Sequence, residues 1–443
     1  MAARNKKGKL LIRSNVGHDG SNSTLWIFGA GASAHLGFPM SANLFEKSVS
    51  LVSTVFRPFT GPDVALEYGM LQGVLGNATP PVHDLQRIKT DPTLALRHIG
   101  IWKTLVHCES VPISIHELLQ AWIKLPQALY NVNVNPDPTR LIGTYPEDLL
   151  REIRAADPKE LVTSRGLLDL DTANGHVEKA EELVSLIYFF TLDHFNRAAR
   201  QRTEECPEGN KYRVIVHSLG FEENTRVISF NYDTMLDEAL FHGFTRSWAY
   251  DGHGVASVNG QPVVCDTASA ELRVIKPHGS LNMLVCPNCN RTQVYWFWDF
   301  KRTGIGTGAQ DNRRCVNCRV ALSGRKDLLT SQTVPPLYDK TIIELTRSSM
   351  MSALLAADNI VSVGYSFPEQ DNYFYDLLFI SLLAKPCRRT TLRIVDSNLA
   401  GAEATRDRLI NHKLLRTLCR PSRKLEVIAM DLDGFHGIRI GRS

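Results

Sequence analysis

Short apolar runs, most of them rich in β-branched residues, punctuate this chain at Thr24–Phe28, Arg226–Phe230, Leu272–Lys276, Asn359–Ser366, Leu392–Val395 and Leu425–Met430. Each is short enough for a strand and apolar on both of its faces, which is how a strand buried inside a parallel sheet reads. Apolar residues recur at helical spacing over Ser33–Val55, Tyr232–Phe241 and Thr341–Ala357, between or beside those runs. This alternation predicts an α/β protein with a Rossmann-like parallel sheet and helices on both faces. The alternation fades from about residue 56. Ser114–Tyr130 and His176–Arg200 carry only helical periodicity, separated by Pro- and Asp-rich loops.

The expected organisation is therefore a basic N-terminal arm at 1–23 and a Rossmann-like domain built from 24–55 and 220–443. A mainly helical insertion at 56–219 interrupts it, and a zinc-binding module at 282–325 lies within it. The arm holds Arg4, Lys6, Lys7, Lys9 and Arg13 without a following apolar run, so it lacks the pattern of a secretory signal. No stretch is apolar for the roughly 18 residues a membrane helix needs. Net charge is only +4 across 443 residues, which argues against direct nucleic-acid binding. The expectation is a soluble, cytoplasmic protein with no membrane partner.

Three strand ends carry candidate chemistry. The first apolar run leads directly into Gly29, Ala30, Gly31, Ala32 and Ser33. Glycines after a strand let the backbone approach a pyrophosphate at a helix N-terminus, and Ser33 is placed to cap that helix. A structural turn explains the same glycines. The second run ends in Asn231 and Asp233, at the sheet edge where ligands of α/β proteins collect. Asn231 as a turn residue and Asp233 as a helix cap is the competing reading. The third run ends in His278-Gly279, a proton acceptor near neutral pH beside a residue that leaves room. Late strand ends at Gly364–Ser366 and Asp396–Asn398 offer small and polar groups that suit a nucleotide pocket. His116 and Glu117 fall on a helical pattern of the insertion, where a solvated or core position is the plainer reading.

Of nine cysteines, four form Cys286-x2-Cys289 and, 25 residues on, Cys315-x2-Cys318. Two such pairs make a closed four-thiolate zinc site, structural because no coordination position is left for water.

Taken in order, these motifs resemble the sirtuin family. The resemblance rests on Gly29-Ala30-Gly31-Ala32-Ser33, Asn231 and Asp233, His278-Gly279, the four cysteines, Gly364-Tyr365-Ser366 and Asn398, and covers residues 24–40 and 220–430. It implies that Gly29 to Ser33 hold the NAD pyrophosphate, while Asp233 orients the nicotinamide carboxamide. Asn231 would position the ribose and the attacking water, His278 would be the general base, and Gly364, Ser366, Ser397 and Asn398 would contact the adenosine half. It also implies that an amide, a carboxylate and an imidazole converge around one dinucleotide.

The chain departs from the family after Gly37-Phe38-Pro39, where Met40 and Ser41 stand in place of an Asp-Phe-Arg segment. Pro335 and Pro336 occupy the place where deacylating members pair with an acyl-lysine peptide, and proline is a poor template for strand addition. The insertion and the forms around Asn231, His278 and Ser366 are more similar to the bacterial sirtuin-like NAD hydrolases of anti-phage systems. That resemblance implies an NAD glycohydrolase that yields nicotinamide and ADP-ribose and serves anti-phage defence by NAD depletion, a homo-oligomer, and a partner ATPase or other defence protein. NAD-dependent deacylation or ADP-ribosyl transfer, and a non-catalytic nucleotide sensor, are the alternatives.

Overall fold

The computed structural model describes residues 23–39, 43, 44, 47, 115–135, 146–167, 169–206, 211–219, 225–243, 248–251, 255–258, 261–264, 272–285, 288–289, 292–295, 318–320, 340–385, 389–419 and 424–431. Seven strands form one all-parallel sheet: β1 (Thr24–Phe28), β2 (Arg226–Ser229), β3 (Trp248–Tyr250), β6 (Leu272–Ile275), β9 (Asn359–Val363), β10 (Thr390–Asp396) and β11 (Leu425–Asp431). Their spatial order is β11-β10-β9-β1-β2-β6-β3. The chain runs outward from β1 through β2, then returns to pair β9 against the other side of β1. That reversal makes β1/β9 the switch point, where loops at the carboxyl ends diverge and leave a crevice.

Strand alternation divides the core. Trp26, Phe28, Val227, Val274, Val361 and Val363 face α6 (Lys211–Leu219) and α7 (Met235–Gly243). Leu25, Ile27, Ile228, Ile275, Ile360 and Leu392 face α8 (Lys340–Ala356), α9 (Asn372–Ala384) and α10 (Leu399–Asn411). Both faces are covered, as the unbroken apolar runs require.

All described regular elements between β1 and β2, apart from the short turns that follow β1, are helices: α2 (Ile115–Asn131), α3 (Pro146–Arg154), α4 (Pro158–Arg165), α5 (Leu170–Glu205) and α6. A separate core of Leu125, Leu129, Leu150, Ile153, Val184 and Ile187 joins the first four, and Tyr232 and Leu281 from the sheet edge enter it. The 36 residues of α5 span about 54 Å at 1.5 Å per residue. Its last turns leave that core: Ala199 joins Tyr212 and Ile215 of α6 against the sheet. The first half of α5 therefore belongs to the helical layer and the end to the sheet. Among the described residues, no helix is long and apolar enough to cross a membrane.

A second sheet, in the order β5-β4-β8-β7, is built from β4 (Val255–Val258), β5 (Gln261–Val264), β7 (Met283–Val285) and β8 (Thr292–Tyr295). In the antiparallel β7–β8 hairpin Val285 lies opposite Thr292, and Cys289 falls in the turn between the two strands. The patterns at β3, β4 and β5 are too short to read in the sequence.

Candidate functional site

Four adjacent strand ends, those of β9, β1, β2 and β6, meet at one edge of the main sheet. The β1 and β9 ends interlock. Gly29 N–H donates to Val363 O at 3.1 Å and Gly31 N–H to Gly364 O at 2.9 Å, while Gly364 N–H donates to Val395 O at 2.9 Å. A Cβ at Gly29 would lie 2.5 Å from Tyr365 Cα, and one at Gly31 would lie 2.9 Å from Gly364 O. The missing side chains make room for another backbone strand end. The N–H groups of Gly29, Gly31 and Ala32 are bonded within the two loops.

Ser33 does not cap a helix. The short helix α1 (Ala30–Ser33) begins after Gly29, which makes no side-chain cap. It tightens into a 3-10 turn and stops at Gly37 (φ +76°), so the long helix expected over Ser33–Val55 breaks at this glycine. The Ser33 side chain points instead into a buried network. Its hydroxyl donates to Asp233 Oδ2 at 2.6 Å. The Asn231 Nδ2 donates to Ser33 Oγ at 3.1 Å and to Tyr212 Oη at 2.9 Å. Ser33 Oγ and Tyr212 Oη lie 2.9 Å apart.

Counting protons fixes the directions. Serine has one proton, already given to the carboxylate, so Tyr212 donates to Ser33 and accepts from Asn231. Asp233 Oδ1 accepts from Met235 N at 3.0 Å, so the capping role weighed for Asp233 coexists with the network role. Burial raises the Asp233 carboxyl above its usual range, and the nearby Lys276 ammonium and the Ser33 hydroxyl oppose that rise. Burial, with Asp233 close by, drives the Tyr212 phenol well up, so it stays a neutral donor. One acceptor is left over: among the described residues, the Asn231 Oδ1 has no hydrogen-bond partner, on a side chain 5% exposed.

Two neighbours clamp this network. Lys276, fully buried, donates to Asp233 O at 2.8 Å, Asp237 Oδ2 at 2.9 Å and Ser280 Oγ at 2.7 Å, which uses all three ammonium protons. Tyr250 donates to the other oxygen of Asp237. From α5, Asn196 Oδ1 accepts Thr234 N–H at 3.0 Å, and Arg202 donates to Leu36 O at 2.8 Å beside Gly37. One helix of the insertion thus grips both site loops.

His278 lies elsewhere at the same edge. It packs on Phe230 at 5.1 Å and Tyr232 at 5.8 Å between ring centroids. Its Nε2 lies 3.0 Å from Asp371 Oδ1. Phe230 belongs to the core on the α8–α10 side, whereas Tyr212 belongs to the core on the α6–α7 side. Asn231 and Asp233 are thus hydrogen-bonded with Ser33 on the Tyr212 side, whereas His278 bonds to Asp371 and packs on Phe230.

The late strand ends hold the remaining candidates. Gly364 adopts φ +59°, and Ser366 is exposed with its carbonyl bonded by Arg408 at 2.6 Å. Ser397 is exposed and donates to Asp396 Oδ1 at 3.0 Å. Asn398 caps α10 by accepting Gly401 N–H at 2.8 Å, so its amide has a local structural role. His116 and Glu117 lie in the first turn of α2, with their side chains outside the described residues.

Cys286 and Cys315 also lie outside the described residues. Cys289 and Cys318, one from each pair, are not in a disulfide, and their sulfurs are 3.8 Å apart. Two thiolates on one tetrahedral zinc, each at about 2.3 Å, are separated by about 3.8 Å. The donor set and the spacing fit zinc.

Sequence reasoning missed Tyr212, Lys276, Asp371, Asn196 and His35. The His35 Nδ1 donates to Ala32 O at 2.8 Å, and its Nε2 accepts Lys211 N–H at 3.0 Å, an arrangement only the neutral ring can make. Burial lowers the His35 pKa from 6.5 to about 4, and Lys211 adds to the effect against the Ala32 carbonyl. The unfolded chain binds a proton at His35 below pH 6.5 while the folded one does not. This contribution to stability is therefore full above pH 6.5 and is lost as pH falls toward 4. The stability advantage of the parent over His35→Gln in denaturant titrations is expected to shrink across that window. An advantage that stays constant with pH contradicts the neutral-ring assignment.

The chain matches no family model, and no curated protein resembles it closely enough to count as a relative.

Proposed function

We propose that this chain is a sirtuin-like NAD glycohydrolase that cuts the nicotinamide–ribose bond, releasing nicotinamide and ADP-ribose. The observation that carries the reading is the Asn231 Oδ1, unpartnered among the described residues, at the carboxyl edge of a doubly wound sheet, on an amide oriented by its bonds to Ser33 and Tyr212. A buried amide oxygen without a donor costs free energy until a ligand hydroxyl, amide or water supplies one. A ribose hydroxyl or the attacking water fits that need.

Cleavage of this bond builds positive charge on the ribosyl carbon as the electron pair leaves with nicotinamide. Asp233, held by Ser33 and Met235, places a carboxyl group beside that charge. His278 is the titratable base at the same edge, across the sheet plane from Asn231, so NAD would lie over the strand ends with groups on both sides. Positioning and electrostatics, rather than a metal, supply the rate in this scheme.

Zinc, held by Cys286, Cys289, Cys315 and Cys318, would staple the β7–β8 hairpin to the later segment and supply no chemistry to the reaction. Elemental analysis is expected to find one zinc per chain, and none in Cys318→Ser. A parent chain that purifies without zinc and keeps its stability contradicts the assignment.

An NAD hydrolase active at all times would exhaust its own cell, so control by assembly or by a partner is part of the proposal. The grip of α5 on both site loops, through Asn196 and Arg202, supports the insertion as the element through which control is exerted.

Incubation of NAD with the purified chain, resolved by chromatography, tests the activity. Nicotinamide and ADP-ribose are expected in equal amounts, indifferent to an added acyl-lysine peptide. An O-acylated ADP-ribose formed only with peptide would make the chain a deacylase instead.

A further inference from the structure

Asp371 stands where a helix cap is expected, one residue before α9, yet its side chain caps nothing. Its two carboxylate oxygens are directed sideways. Oδ1 lies 3.0 Å from His278 Nε2, and Oδ2 accepts the Tyr365 hydroxyl at 2.6 Å. All three residues are buried, Asp371 to 2% exposure and His278 to 9%. They come from two strand ends, His278 after β6 and the other two after β9. The turn between Tyr365 and Asp371 includes Phe367 at φ +52°, in the left-handed region that a non-glycine residue rarely adopts.

A carboxylate only accepts, so the hydrogen in the Asp371–His278 contact belongs to the imidazole Nε2. Tyr365 occupies the second oxygen, and its ring stacks on Phe230 at 4.2 Å, which fixes the carboxylate plane. Burial, with Asp371 adjacent, raises the Tyr365 phenol far above its ordinary range, so it remains a donor. Tyr373, likewise held neutral by burial, lies in the same corner with the Arg347 guanidinium 5.5 Å above its ring, and Tyr232 stacks on His278.

We infer that Asp371 is the positioning residue of His278, holding the imidazole with its proton on Nε2 and its lone pair on Nδ1. The catalytic consequence rests on the hydrolase reading above. As water adds to the ribosyl carbon, the carbon–nitrogen bond breaks and its electron pair leaves with nicotinamide. One water proton passes to Nδ1 and then to solvent.

The test uses the full-length chain with ¹⁵N-labelled histidine, the His278 resonances being assigned by their loss in His278→Gln. Long-range proton–nitrogen spectra of the parent are expected to show Nε2 protonated. In Asp371→Asn, the carboxamide N–H faces Nε2 and favours the opposite tautomer. The Nε2 signal is expected to move to the unprotonated range and nicotinamide release to fall by about 10²–10⁴-fold. A parent spectrum with the proton on Nδ1 overturns the inference even if the variant fails to fold. So does an Asp371→Asn chain with an unchanged tautomer and the parental rate. If the parent releases no nicotinamide, the hydrolase reading falls, while the spectra still decide whether Asp371 sets the tautomer.

Discussion

Gly364→Ala is expected to lose about 2–5 kcal/mol of stability, or to fail to fold, although it adds a single methyl group. The new Cβ would lie 2.1 Å from Ala32 N and 2.4 Å from Gly31 C, both backbone atoms in a loop that cannot swing aside as a side chain can. The residue also sits at φ +59°, which costs an L-residue roughly 1–2 kcal/mol before any clash. Relief requires breaking the Gly31–Gly364 and Gly364–Val395 bonds that tie the ends of β1, β9 and β10 together. Urea denaturation reads the effect, with Ser366→Ala as a nearby exposed control expected within about 0.5 kcal/mol of the parent. A parental midpoint for Gly364→Ala would mean the two loops are not packed as described.

Lys276→Met is expected to cost about 3–5 kcal/mol, the range for removing one partner of a buried ion pair. The ammonium makes three short bonds with no exposure, and Asp237 is 2% exposed. Methionine fills the same volume but leaves the Asp237 carboxylate buried with only neutral donors. Part of the loss should return in Lys276→Met/Asp237→Leu, because removing both charges removes the uncompensated burial. The pair also holds the Asp233 carbonyl, so activity should fall further than stability predicts and should not return in the double variant. A single variant within 1 kcal/mol of the parent would contradict the pair's buried, fully bonded state.

The main sheet was legible because parallel strands buried on both faces leave continuous apolar runs, and β1, β2, β6, β9, β10 and β11 each carry one. The runs overshoot where a backbone torsion, rather than hydropathy, ends the strand: Asn359–Ser366 stops at Val363 because Gly364 turns left-handed. β3 escaped notice because Trp248–Tyr250 is three residues long. At the site, strand ends marked Ser33, Asn231 and Asp233 as candidates, but the hydrogen bonds among them were not read from the sequence. Tyr212 was missed, since it reaches the cluster from a helix 179 residues beyond Ser33 and nothing in its own neighbourhood marks it. Asp371 was not among the candidates read from the sequence, because only the tertiary structure brings its oxygens to His278 and Tyr365.

The central claim is that the Ser33–Tyr212–Asp233 network presents the Asn231 amide oxygen to NAD. Initial rates of nicotinamide release at saturating NAD, for the parent and for Asn231→Ala folded to parental stability, test it most directly. The account predicts steady release by the parent and a loss of about 10²-fold or more in the variant. Equal rates in the two proteins, or a parent that leaves NAD intact both alone and with the proteins encoded beside it, would contradict it.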